Sequence, residues 1–289
     1  MNVSERARRF GTVVLAREVL ADVARVLAVH HIEVMPLKGV LIRELAYQDP
    51  GERGLLDVDV AIRPAEFRRA RAALVSAGYE VEFEQPSRFE VSLRRSRSPL
   101  SVDLHRGLSA TRRFRLTIDA MFARGRADSQ LFGVRVVLPG DYDFFAHLLA
   151  HTTLHYVNEG QWHRPQDLSR FARSRRLDVA TCAEHLDACG LARFARVALV
   201  LLPREDDGFR EFADDVLRNL RPDSVADTIA SIARAAYTSE TRSRWRVRVL
   251  SVLLNPTLGD ATLALAEAAV WRARLAAMAL GSSIRARNL

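Results

Sequence analysis

Period-two hydrophobic alternation stops near residue 138, and that limit constrains the fold of this chain more than any other feature. Before it, Leu56-Asp57-Val58-Asp59-Val60-Ala61-Ile62 has the alternation of a strand with two distinct faces. Tyr79 to Phe83, Phe89 to Arg94 and Leu100 to His105 are also strand-like, and the apolar run Val134 to Leu138 is expected to close the same sheet. After Pro139 only helical patterns occur, broken by Gly140, Gly160, Pro165, Gly190, Pro203, Pro222, Pro256 and Gly259. The expectation is an α+β chain: a small mixed sheet with flanking helices over residues 1–138, then an all-helical domain of six to eight helices over 139–289.

The helices of the first half are legible too. Leu15, Val19, Val23, Val26 and Leu27 recur at helical spacing and predict a long amphipathic helix over residues 4–29. Ile32 to Leu37 reads as a short strand, with a helix over 40–47 beginning after Lys38-Gly39. Tyr47 to Gly54 is rich in turn formers, and Pro64 opens a helix over 64–77 that Gly78 stops.

Composition narrows the class. No run of about 18 apolar residues is present, which argues against a membrane-spanning helix. Met1 to Phe10 is charged and unlike a signal peptide, so a cytoplasmic location is the expectation. Cys182 and Cys189 lie seven apart in a helix-like segment, a spacing that suggests buried thiols more than a disulfide or metal site. The net charge of +8 raises a nucleic-acid partner, but the basic residues are spread along the whole length. Their densest stretch, Arg242 to Arg248, alternates with Trp245 and Val247 and reads as a solvated amphipathic surface, so nucleic acid is not favoured. Lys38 is the only lysine in the chain; every other cationic side chain apart from histidine is arginine. A site that needs a compact ammonium in place of a wide guanidinium fork accounts for that exception.

The candidate chemistry is acidic. In a strand, residues i and i+2 share a face, which sets Asp57 and Asp59 roughly 6–7 Å apart and pointing the same way. Such a pair suits Mg²⁺, which takes oxygen ligands from one or two carboxylates together with substrate phosphates. Asp103, in Ser101-Val102-Asp103-Leu104-His105, shares a face with Ser101 and His105 while Val102 and Leu104 turn to the core. If the two strands are neighbours, three carboxylates converge on a set able to bind metal and deprotonate a hydroxyl. The competing reading is an exposed polar face of an edge strand. Leu37-Lys38-Gly39, between strand and helix, offers backbone N–H groups and an ammonium to a phosphate, or is an ordinary turn.

In order, these pieces resemble a known family. The Leu37-Lys38-Gly39 turn is followed by Leu45 to Asp59, Gly78-Tyr79, Val102-Asp103-Leu104-His105, a helix from Asp141 to Tyr156 carrying His147 and His151, and Asp167-Leu168. The whole is similar to the uncharacterised nucleotidyltransferase family of bacteria, within the polymerase-β-like nucleotidyltransferase superfamily, over roughly residues 30–175. The resemblance implies that Gly39 sits at the phosphate-holding turn and that Asp57, Asp59 and Asp103 are both the catalytic and the metal-binding carboxylates. Val40 departs from the pattern, standing where the superfamily often has serine. Lys38 is the candidate replacement for that contact, and Arg53 either meets the triphosphate or braces the loop.

The implied activity is transfer of a nucleoside monophosphate from an NTP, with Mg²⁺ or Mn²⁺, to an unidentified acceptor: a small molecule, peptide, protein or tRNA. The alternative is a nucleotide-binding module or inactive relative that transfers nothing. His147, His151 and His155 recur every four residues on one helical face, but no nearby Cys or Glu completes a zinc set. His105, His147, His151 and Asp167 are therefore candidates for substrate contact, Asp167 with a histidine as its candidate partner.

Overall fold

Two short parallel strands organise the first half. The computed structural model describes residues 3–49, 51–84, 89–108, 114–159, 164–202 and 207–238, with Leu254 and Thr262. The Arg242 to Arg248 stretch lies outside the described residues. In chain order the elements are α1 (Val3–Ala28), β1 (Met35–Pro36), α2 (Lys38–Ala46), β2 (Asp57–Ala61), α3 (Phe67–Ser76), β3 (Tyr79–Glu84), β4 (Glu90–Arg95) and β5 (Ser101–His105). There follow α4 (Ile118–Arg124), β6 (Arg126–Asp128), β7 (Val136–Leu138) and the helices α5 (Asp141–Glu159), α6 (Gln166–Ser174), α7 (Val179–Ala188), α8 (Ala192–Leu201), α9 (Asp207–Asn219) and α10 (Ser224–Thr238).

The sheet order is β1-β2-β5-β4-β3, with β2 and β5 parallel and the remaining pairs antiparallel. Alternation explains the layering. Val58 and Val60 of β2, Val102 and Leu104 of β5, and Val91 and Leu93 of β4 are all fully buried, so one face of the sheet is continuous core. Leu20, Val23 and Leu27 of α1, and Ala70 and Leu74 of α3, join the same core from helical stripes. α3 ends where Gly78, at φ +92°, takes a left-handed turn and its N–H reaches the carbonyl of Val75 at 3.0 Å. β3 is an edge strand: Val81 and Phe83 are exposed, and a register shift between them interrupts pairing with β4.

Two details differ from the sequence reading. Val136–Leu138 does not close the main sheet; it pairs with β6 in a separate two-stranded ribbon, and its Val137 N–H meets the carbonyl of Val34, just before β1, at 2.8 Å. β1 shrinks to two residues, since Pro36 has no N–H to give and the chain enters α2 immediately after. Neither α4 nor β6 was visible in the periodicity, being too short at seven and three residues.

From Asp141 onward the described residues form six helices. α5 packs on α6 through Phe144 and Phe171, both fully buried, with ring centroids 5.1 Å apart in an edge-to-face arrangement. α6 in turn packs on α2, which couples the helical half to the sheet. No helix among the described residues is long and apolar enough to cross a membrane. Phe144→Ala is expected to cost about 3–5 kcal/mol, read as a lower urea midpoint at unchanged denaturant slope.

Candidate active site

The β2–β5 register brings the aspartates together. Asp59 pairs directly across from Asp103, and Asp57 lies two residues back, opposite Ser101. With side chains alternating, all three carboxylates leave the sheet on the same side, and His105 follows on that side at the end of β5. On the other flank of β2, the Leu37 N–H bonds the Asp59 carbonyl at 2.9 Å, which sets the start of α2 beside the acidic face.

Asp59 is the anchored member. Its carboxylate is buried, and Lys38 Nζ donates to Oδ1 at 2.7 Å while His105 Nε2 lies 2.9 Å from the same oxygen. Behind it, His105 Nδ1 is 3.3 Å from Glu90 Oε2, across the β4–β5 register pair of Glu90 and His105. Burial alone would raise the Asp59 pKa, but Lys38 and His105 outweigh it and hold the carboxyl far below the ordinary range. Burial likewise works against the Lys38 ammonium, and its attraction to Asp59 prevails and raises its pKa. The backbone strains to deliver this lysine: Lys38 has φ +42°, a left-handed value unusual for a residue with a side chain.

Asp57 and Asp103 are placed differently. Neither carboxylate makes a hydrogen bond or ion pair among the described residues, and both residues are only partly buried. Burial, then the like charges of Asp59 and Asp103, push the Asp57 pKa up to about 6. Both contacts to Asp59 fall on Oδ1, so Oδ2 accepts none among the described residues. Two uncommitted carboxylates and a free third oxygen, with surplus negative charge, form a donor set that fits Mg²⁺ or Mn²⁺. The set is open: among the described residues, the donor atoms that all lie within 4.8 Å of one another are instead those of Asp143, His185 and Cys189.

The remaining candidates fall into two groups. His147 on α5 is buried, and burial, followed by the neighbouring Lys38 and His105, lowers its pKa to about 3. It is thus a neutral imidazole, and its buried Nε2 has no hydrogen-bond partner. Burial first, then Lys38, His155 and His147, push the His151 pKa well down too, and its ring centroid is 6.3 Å from that of His147. Arg53 and Asp167, both buried, bind each other: Nη2 meets Oδ2 at 2.8 Å and Nε lies 3.1 Å from the same oxygen. Tyr47 donates its hydroxyl to Asp167 Oδ1, and Arg53 Nη1 donates to the Gly39 carbonyl at 3.2 Å. Asp167 is therefore partnered by Arg53 and Tyr47 instead of by a histidine. A Cβ on Gly39 would lie 2.9 Å from Arg53 Nη1, so the glycine makes room for this guanidinium. The sequence reading missed Glu90 and Tyr47; only strand register and the α2–α6 contact reveal them.

A mixed sheet with aspartates aligned across a parallel strand pair, beside a tight entry into a helix, is the layout expected of a nucleotidyltransferase. A family model described as uncharacterised nucleotidyltransferase matches residues 6–204, and the chain belongs to that family. Among curated proteins, none matches it.

Two outcomes follow. Asp167→Ala strands a buried guanidinium and should cost about 3–5 kcal/mol, measured by denaturant unfolding, with much of the loss restored in an Arg53→Met, Asp167→Leu double variant. Asp57, whose pKa is raised on folding, penalises the native state increasingly as pH rises from about 4 to about 6. Asp57→Asn should therefore stabilise the metal-free protein at pH 7, on the order of 2 kcal/mol, with the gain vanishing near pH 4.

Proposed function

We propose that this protein moves a nucleoside monophosphate from an NTP to an acceptor hydroxyl or similar group, releasing pyrophosphate. The observation that carries this reading is the pair of unengaged carboxylates, Asp57 and Asp103, on one face with the anchored Asp59. Residues 1–138 are read as the catalytic domain and 139–289 as the wall that selects the acceptor, in a protein acting in the cytoplasm.

Asp57, Asp103 and Oδ2 of Asp59 would hold Mg²⁺ or Mn²⁺, which supplies charge neutralisation to the triphosphate. The first N–H groups of α2 have no side-chain cap, which supports a phosphate at that end of the helix. Lys38 adds its charge there while remaining tied to Asp59. Asp103 takes the proton of the acceptor hydroxyl, whose oxygen attacks the α-phosphorus; the bond from that phosphorus to the bridging oxygen breaks, and its electron pair leaves with pyrophosphate. His105 positions Asp59, and Arg53 with Asp167 braces the Gly39 turn from behind. His147, with its buried and unsatisfied nitrogen, is the residue best placed to hydrogen-bond a substrate group, and His151 backs it.

A second reading, a nucleotide-binding module without transfer, draws support from Val40 and from the ammonium already resting on Asp59. Labelled ATP, CTP, GTP and UTP with Mn²⁺ and a panel of small-molecule, peptide, protein and tRNA acceptors separate the two. The transferase reading expects pyrophosphate release that falls about 10²–10⁴-fold in Asp103→Asn while nucleotide binding persists. Binding with no release across the whole panel would favour the module.

A further inference from the structure

Away from the acidic face, three different metal-ligating side chains meet where α4, α5 and α7 adjoin. Asp143 lies in the first turn of α5, His185 in the last turn of α7, and Cys189 caps that helix one turn later. His185 Nε2 is 2.8 Å from Asp143 Oδ1 and 3.4 Å from Cys189 Sγ. One imidazole nitrogen has a single proton or a single lone pair, so it cannot satisfy both neighbours at once. Three donor atoms within 4.8 Å of one another lie close enough to share one ion. The helix supplies part of this directly, since His185 and Cys189 are four residues apart on one face.

We propose that Asp143, His185 and Cys189 form a binding site for a thiophilic divalent ion, zinc above all, separate from the magnesium-type carboxylates of β2 and β5. The donor chemistry makes the distinction. A thiolate, an imidazole and one carboxylate oxygen are a zinc set, whereas Mg²⁺ takes oxygen. Three protein ligands leave a fourth position, and solvent reaches the cluster past His185, whose side chain is 20% exposed, while that of Asp143 is 1% exposed. Arg124 is the partner of the ligand carboxylate: Nε donates to Oδ2 at 2.9 Å and Nη2 to Oδ1 at 2.7 Å, which fixes the orientation of Asp143. Each carboxylate oxygen has two lone-pair sites, so Oδ1 can serve Arg124 and an ion together. The site would clasp the start of α5 to the end of α7, beside the C-terminus of α4.

The test is Co²⁺ titration of the full-length chain, stripped with chelator, in excess Mg²⁺ to occupy oxygen-only sites. Stoichiometric appearance of a near-ultraviolet thiolate-to-cobalt band with tetrahedral visible absorption, both erased by Zn²⁺, is the expected result. Cys182→Ser should keep the band, Cys189→Ser should lose it, and Arg124→Gln should weaken binding about tenfold or more. In the unsubstituted chain, Zn²⁺ should slow alkylation of Cys189, mapped by mass spectrometry, and leave that of Cys182 unchanged. This arm holds even if the Cys189 variant does not fold. No thiolate band at saturating Co²⁺, a band that follows Cys182, or Cys189 alkylation indifferent to Zn²⁺ would each overturn the proposal.

Discussion

A carboxylate in the middle of a sheet has to be answered by positive charge, and the answer given to Asp59 shapes everything around it. The residue is buried beneath the entry to α2, where an unpaired anion would cost several kcal/mol. Lys38 and His105 meet it on the same oxygen. To do so, Lys38 adopts a left-handed backbone conformation at the start of a helix, and His105 is steadied in turn by Glu90 from the next strand. A guanidinium fork in place of the ammonium would claim more than one acceptor, which gives a physical reason for a single lysine in an arginine-rich chain. Because one partner pair settles Asp59, its neighbours Asp57 and Asp103 are left with their repulsion unresolved.

A second buried pair performs a different task. Arg53 and Asp167 come from opposite halves of the chain, and through them α6 is tied to the turn that precedes β2 and to the carbonyl of Gly39. The absence of a side chain at Gly39 makes room for the guanidinium, so the small residue at the helix entry answers to a protein partner as well as to any phosphate. A shift of the helical half is thereby felt at the turn beside the acidic face.

Much of the architecture was legible because it rests on short-range periodicity. Val58, Val60, Val102 and Leu104 mark the core face of β2 and β5, and the same alternation assigns Asp57, Asp59 and Asp103 to the opposite face. The switch to helices after Leu138 was equally plain. What escaped was non-local. Val136 to Leu138 reads as a strand but not as a partner of β6, and Glu90 has no significance until register sets it across from His105. Asp167 was legible as a candidate but not its partner, since Arg53 lies 114 residues away. Asp143, His185 and Cys189 are dispersed over 47 positions and three structural contexts, and only the packing of α5 on α7 assembles them.

The far rim of the sheet has its own logic. β3 alternates Glu80, Glu82 and Glu84 with Val81 and Phe83, all of them exposed, and its ladder slips between the two apolar residues. A neighbouring molecule trying to extend the sheet would have to match an irregular backbone while setting its strand against a row of acids. The slip and the glutamates thus act as a guard rail against fibrous stacking.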